Sequence, residues 1–569
     1  MFTKRIALSA FALVMLLGSA CGPAATTAAP ATRHYATQPP ATQPPVQDNS
    51  YSAPPAAPSG PSMPAAPGLA PMLPAPTMSG SMQSPSNDPQ KNSQNESQEN
   101  SQNESHGIHH DKSYYDTFFQ DYGVNPRIYS EDDPFSTFAL DVDTGSYTIM
   151  RSYVNDGSLP PEDSVRVEEY VNYFEQGYQY PGEEEAFNIH VDASPSPFTE
   201  NPDYRIMRVG VQGYAVSPEN RKDVSLTFVV DVSGSMNMDN RLGLVKRALK
   251  LLVKHLNPSD RVGIVIYGTN AEVILEPTRV SQEDKILRAI DWLQPGGVTN
   301  AEAGLRLGYQ MAEEAFTQEG INRVILCSDG VANFGETDPN SIWEEVKRYA
   351  GRRITLTTVG FGMDNYNDVL LEQLADNGNG IYAYVDDIQE ARRIFVENLT
   401  STLQVIAMDA KVQVEFNPGV VEQYRLIGFE NRAIADEDFR NDRVDAGEIG
   451  AGMSSTALYE IKLNEEASGR IATVYMRWKN PGSRRAMEIS EDFSTRQIGS
   501  RFTAADPHLQ WDIIVAEYAE VLRDSYYAHE ESLASVLHEA ERVNSELLED
   551  ESVYEFMDLL HQANGYHAY

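Results

Sequence analysis

Between about residues 222 and 402 the chain alternates short apolar runs with segments whose apolar residues recur at 3,4 spacing, and few folds satisfy such a rhythm. "VSLTFVVD" reads as a buried strand. "RLGLVKRALKLLVKHL" reads as a helix with Leu242, Val245, Leu249, Leu252 and Leu256 on one side, and "RVGIVIYG" as the next strand. "EVILE" is a short edge strand. Helices are expected at about 281–293, 301–316, 340–350, 366–376 and 388–400, between strands in "NRVILCSDG", "RITLTTVGFG" and "GIYAYVD". The alternation predicts an α/β fold, a doubly wound and mainly parallel sheet with helices on both faces.

Ligands of such sheets bind beyond the carboxyl ends of the strands. Asp231, Ser233 and Ser235 follow the first strand, Thr299 lies in the glycine-rich "PGGVTN" just before a helix, and Asp329 ends "VILCSDG". Two carboxylates and three hydroxyls, with no thiolate or imidazole, suit a small hard dication such as Mg²⁺ or Mn²⁺ and do not select zinc. Cys327 sits inside an apolar strand and reads as a small buried hydrophobe.

DxSGS, a later Thr in a Gly-Gly loop and a strand ending in Asp-Gly resemble the metal-ion-dependent adhesion site of von Willebrand factor A (VWA) domains, and all five positions are filled. The resemblance implies a Rossmann-like VWA domain in which Ser233, Ser235 and Thr299 contact the metal directly, while Asp231 and Asp329 act directly or through water. It also implies a protein partner whose carboxylate completes the coordination shell. The flanks "STFALDVDTGSYTIMRSYVNDGSLPPEDSVRVEEYVNYF" and "YRLIGFENR...VDAGEIGAG...TALYEI" resemble bacterial exported proteins that carry a VWA domain between a characteristic N-terminal segment and a C-terminal domain of unknown function.

The flanks have period 2, as in "FNIHVDASPSPF" and "YRIMRVGVQGY" before the α/β unit and "AKVQVEFNPG", "TALYEIKLN" and "RIATVYMRWKN" after it. These segments are expected to pair into one antiparallel β-sandwich into which the α/β domain is inserted. Val167, Tyr170, Val171 and Phe174 fall on one helical face, and from Asp506 the tail is expected to form helices with apolar faces.

The start "MFTKRIALSAFALVMLLGSACG" places Lys4 and Arg5 before an apolar run too short to span a membrane, as in an export signal. Gly18-Ser19-Ala20-Cys21 resembles a bacterial lipoprotein cleavage box, which makes Cys21 the lipidated residue. With Cys21 so used, Cys327 has no partner and a disulfide framework is excluded. A stretch rich in Pro, Ala, Ser, Gln and Asn then reads as a disordered stalk, and His106, His109 and His110 at its end read as incidental rather than metal-binding. The expected organisation is a lipoprotein signal at 1–21, the stalk at 22–111, an N-terminal α+β segment at 112–221, the VWA domain at 222–402, and a β-rich then helical domain at 403–569.

Of the 569 residues, 44 are Lys or Arg and 83 Asp or Glu, a net charge of -39 that disfavours nucleic acid as a partner. The chain lacks a G-x-S-x-G elbow, an H-E-x-x-H helix and a P-loop, so no enzyme is expected. Two alternatives stand. "LDVDTGSY" has the form of an aspartic protease signature, whose two aspartates share a proton, and a homodimer would supply the partner of Asp143; otherwise Asp143 and Thr144 cap the next helix. The chain could also serve an ATPase or chelatase as its VWA accessory subunit, although the export signal points to a membrane-anchored, extracytoplasmic binding protein.

Overall fold

The computed structural model describes residues 118–566 apart from 183–184, 200, 202, 331–338, 363–366, 529–530 and 548–549. The export signal, Cys21, the stalk and His106, His109 and His110 lie outside the described residues.

Three sheets organise the described residues. The N-terminal side supplies β1 (Ile128–Tyr129), β2 (Phe135–Ala139), β3 (Phe187–Ser194) and β4 (Tyr204–Gly213), with helices α1 (Gly145–Asn155) and α2 (Val167–Val171) between β2 and β3. The α/β unit follows with β5 (Val224–Asp231), α3 (Arg241–His255), β6 (Arg261–Tyr267), β7 (Ala271–Arg279), α4 (Glu283–Trp292), α5 (Ala301–Glu314) and β8 (Ile321–Ser328). It continues through α6 (Pro339–Gly351), β9 (Ile354–Gly360), α7 (Asp368–Asn377), β10 (Tyr382–Tyr384), α8 (Ile388–Arg392) and α9 (Leu399–Leu403). Its strand order is β10-β9-β8-β5-β6-β7, parallel except for the edge strand β7. Every residue of the central β5 is buried, because separate apolar layers cover both faces of the sheet. The expected single helix at 388–400 is instead α8, a π-helical turn at Arg393–Glu397, and α9.

The C-terminal side adds β11 (Val405–Phe416), β12 (Val421–Ile427), β13 (Gly447–Gly450), β14 (Ser454–Leu463), β15 (Arg470–Lys479) and β16 (Ala486–Ser494). The expected sandwich forms from both ends of the chain: one sheet runs β1-β12-β14-β4-β3, and the other runs β13-β11-β15-β16 with β2 also on β11. Phe138, Val209, Val414, Tyr459 and Val474 meet in the core between them. Gly452 N donates to Tyr214 O at 2.8 Å and Ala451 N to Gln404 O at 2.8 Å, so one turn ties together the entry and exit of the inserted domain.

α10 (Pro507–Leu522), α11 (Leu533–Val543) and α12 (Glu551–Tyr566) join α1 and α2 in an apolar layer against Ile206, Ile427 and Leu458 of the sandwich. Contrary to the amphipathic reading, α10 is buried nearly all round; its Asp512 pairs with Arg208 at 2.9 Å, and its Glu520 with Arg425 at 3.2 Å. α2 stops at Val171, yet Phe174 still enters the same layer.

One buried acid here predicts a pH effect. Glu168 accepts a hydrogen bond from Phe429 N at 2.9 Å, and burial, then the charge of Glu430, pushes its carboxyl up to about 8. At pH 7 the folded chain therefore holds a proton that the unfolded chain, titrating near 4.5, has released. Stability should fall as pH rises from about 4.5 to about 8, by a few kcal/mol from this group. Glu168→Gln should make that slope shallower in urea unfolding at pH 5, 6.5 and 8; an unchanged slope would refute the assignment.

Candidate metal centre

β5 and β8 are parallel neighbours, so the residues at their carboxyl ends emerge side by side. Asp231 ends β5 and Asp329 follows β8, both fully buried. Ser233 and Ser235 lie in the turn after β5, where Asp231 Oδ1 accepts from Ser233 N at 2.7 Å and the two serine hydroxyls meet at 3.0 Å. The backbone joins the second loop to this turn: Gly296 N donates to Val232 O at 2.6 Å and Gly234 N to Gly297 O at 3.1 Å. Gly297 has φ +95°, and a Cβ there would lie 2.7 Å from Thr269 Oγ1, so glycine is required for the loop to approach this closely. Thr299 follows on that loop, directly before Asn300, whose side chain caps α5 by accepting from Ala303 N at 3.1 Å. Three of the five expected ligands thus lie on two hydrogen-bonded loops, and the two aspartates at the ends of neighbouring strands.

Three neighbours escaped the sequence reading. Ser328 Oγ approaches Asp231 Oδ2 at 3.4 Å and accepts from Gly330 N at 3.2 Å. Tyr267, at the end of β6, is buried beside Asp231. Arg241, the first residue of α3, is 3% exposed and donates to Asp329 Oδ2 at 3.2 Å. A long cation ten residues after Asp231 was the only local signal, and its orientation is set by tertiary packing. Burial, then the charge of Asp329, pushes the Asp231 carboxyl up to about 7, against hydrogen bonds from Ser233 that stabilise the anion.

The donor set fits a hard divalent cation. Asp329 Oδ1 is buried without a hydrogen-bond partner among the described residues, which is costly for a carboxylate oxygen unless a cation meets it. Asp231, Ser233, Ser235, Thr299 and Asp329 would hold the ion, all through oxygen.

The LDVDTGSY segment has a different role from either expected one. Asp143 is 6% exposed; it accepts from Tyr382 N of β10 at 3.2 Å and lies 3.6 Å from Arg432 Nη2. Burial within one chain closes it to a second copy, contrary to the protease-dimer reading. Neither residue caps α1 through its side chain, since Thr144 Oγ1 accepts instead from Arg393 Nη2 at 2.6 Å. Cys327 is fully buried, as expected.

Family models match most of the described region. The von Willebrand factor type A domain model matches residues 225–398, and a model described as von Willebrand factor matches 113–208. A third, for the C-terminal part of the uncharacterized protein YfbK, matches 401–565. The chain is 35% identical to YfbK of Escherichia coli (strain K12) over 475 residues, 79% of this chain and 81% of that protein. The chain belongs to the YfbK family of VWA-domain proteins. Similarity to human inter-alpha-trypsin inhibitor heavy chain H3 is 28% over 221 residues, 37% of this chain and 23% of that protein. A solved von Willebrand factor type A structure from Catenulispora acidiphila aligns with 66% of this chain and 89% of its own, at 14% identity and a TM-score of 0.39. VWA domains such as that of this YfbK-family chain commonly mediate protein–protein interaction and metal-dependent binding.

Proposed function

We propose that this YfbK-family chain is a membrane-anchored, extracytoplasmic binding protein whose VWA domain takes the carboxylate of a protein partner through a divalent cation, Mg²⁺ or Mn²⁺. The observation that carries the reading is the buried Asp329 Oδ1, without a hydrogen-bond partner among the described residues, at the strand end beside the buried Asp231 and the paired hydroxyls of Ser233 and Ser235. When bound, the cation supplies a residual Lewis acidity that an incoming carboxylate can satisfy.

The chain's own residues do the positioning. β5 and β8 hold the two aspartates rigidly, and the carbonyl of Gly297 fixes the Thr299 loop against the serine turn. Arg241 engages Asp329 Oδ2 and leaves Oδ1 for the ion. Holding the ligands in place before binding lowers the ordering cost of partner capture. Anchoring is read from the signal and Cys21, and adhesion or envelope assembly is the role such a tethered head fits.

Asp231→Ala should abolish Mg²⁺-dependent retention of a specific envelope protein in pull-downs with the full chain, while leaving the unfolding midpoint no lower than wild type. Removing one of two neighbouring buried carboxylates relieves like-charge repulsion, which is why stability should survive. Retention that persists in chelator would sink the mechanism.

A further inference from the structure

We propose that the carboxylates of Asp141, Glu169 and Glu372 hold a second divalent cation, of the Ca²⁺ type, which clamps the N-terminal segment to the VWA domain. Each offers one oxygen, and the three oxygens lie within 4.8 Å of one another. Asp141 follows β2, Glu169 lies on α2 and Glu372 on α7, so the ligands come from both sides of that boundary.

The charge balance leaves an excess of carboxylates that protons or a cation must neutralise. Arg166 pairs with Glu169, Asp368 and Glu372, and Arg432 with Asp141, Asp143, Glu372 and Asp376. Six carboxylates therefore surround two guanidiniums, and five of the six are buried. Four negative charges in excess cannot stay ionised and bare at such depth.

Two unpartnered oxygens point to a cation as the missing component. Glu372 is 3% exposed, and its Oε2 has no hydrogen-bond partner among the described residues; Arg166 Nη1 is 3.8 Å away. Asn431 donates its Nδ2 to Glu372 Oε1 at 2.9 Å, which leaves its own Oδ1 buried and also unpartnered. A neutral amide oxygen on the residue that contacts Glu372 suits the irregular, many-oxygen shells that Ca²⁺ accepts and Mg²⁺ resists. A cavity of about 250 Å³ bounded by Tyr122, Arg166 and Asn431 lies on the other side of Arg166 and Asn431, two residues that contact the cluster.

This site does not depend on the strand-end centre, so the test is made with the full-length Asp231→Ala chain. After removal of metal, added Ca²⁺ should bind at about one ion per chain and raise Tm by about 3–5 °C. Adding Glu372→Gln, which keeps an oxygen for Arg432, should lower Ca²⁺ affinity at least about tenfold and cancel the Tm shift. The metal-free double variant should remain folded by circular dichroism, since it carries one buried charge fewer. The proposal is overturned if the Asp231→Ala chain binds no Ca²⁺, if Glu372→Gln leaves affinity unchanged, or if acidification alone raises Tm and Ca²⁺ does not.

Discussion

Arg432→Met should cost at least about 3–5 kcal/mol of unfolding free energy, because removing one partner of a buried ion pair strands the other. Here the buried Asp141 and Asp143 lose their one cation among the described residues, while Glu372 keeps Arg166 and Asp376 reaches solvent. Arg432 is 10% exposed and donates to Asp141 at 2.9 Å, Glu372 at 2.9 Å and Asp376 at 2.9 Å, with Asp143 at 3.6 Å. Even with that guanidinium in place, burial pushes the Glu372 carboxyl up to about 7 and that of Asp143 well above its usual range. Without it the folded-state values rise further, so the stability deficit should grow as pH rises and shrink as pH falls toward about 5. Urea unfolding at pH 5 and pH 8 reads both effects. A variant within about 1 kcal/mol of wild type at pH 8 would show that the cluster is not held by this arginine.

Gly447→Ala should be nearly as damaging, although it adds a single methyl group. A Cβ at Gly447 would lie 1.8 Å from the Leu140 carbonyl oxygen, a backbone atom that cannot rotate away. The same Leu140 donates its N–H to Ala410 O at 3.0 Å, and Gly447 pairs with Ala410 across β13 and β11. Room for the methyl requires the end of β2 to lift from β11, which would expose the fully buried Phe138 and Leu140. We expect a loss of about 3 kcal/mol or more, with faster proteolysis of the N-terminal segment. Proteolysis at the wild-type rate would show that the strand absorbs the methyl in place.

Both variants act where the chain's distant parts meet, and there the linear sequence is least informative. Asp141 and Arg432 are 291 residues apart, and Asp143 and Tyr382 are 239 apart. "LDVDTGSY" reads locally as a protease signature or a helix cap, since either needs only its own few residues. Whether Asp143 faces a cleft or a neighbouring strand depends on which element packs over it.

The α/β rhythm and the oxygen ligands were legible because each is a local property. A buried strand announces itself by a short, mostly apolar and β-branched run such as "VSLTFVVD", and strand-end chemistry by the residue types at and directly after its end. The sequence by itself thus determined the layered sheet, the β character of the flanks and the five residues proposed as ligands. Only the tertiary structure decided which strands of those flanks pair, that Arg241 turns to Asp329, and that six carboxylates converge on two arginines. Side-chain periodicity is fixed by a strand's or helix's own backbone, whereas the choice of pairing partner is fixed by packing between segments that meet only after folding.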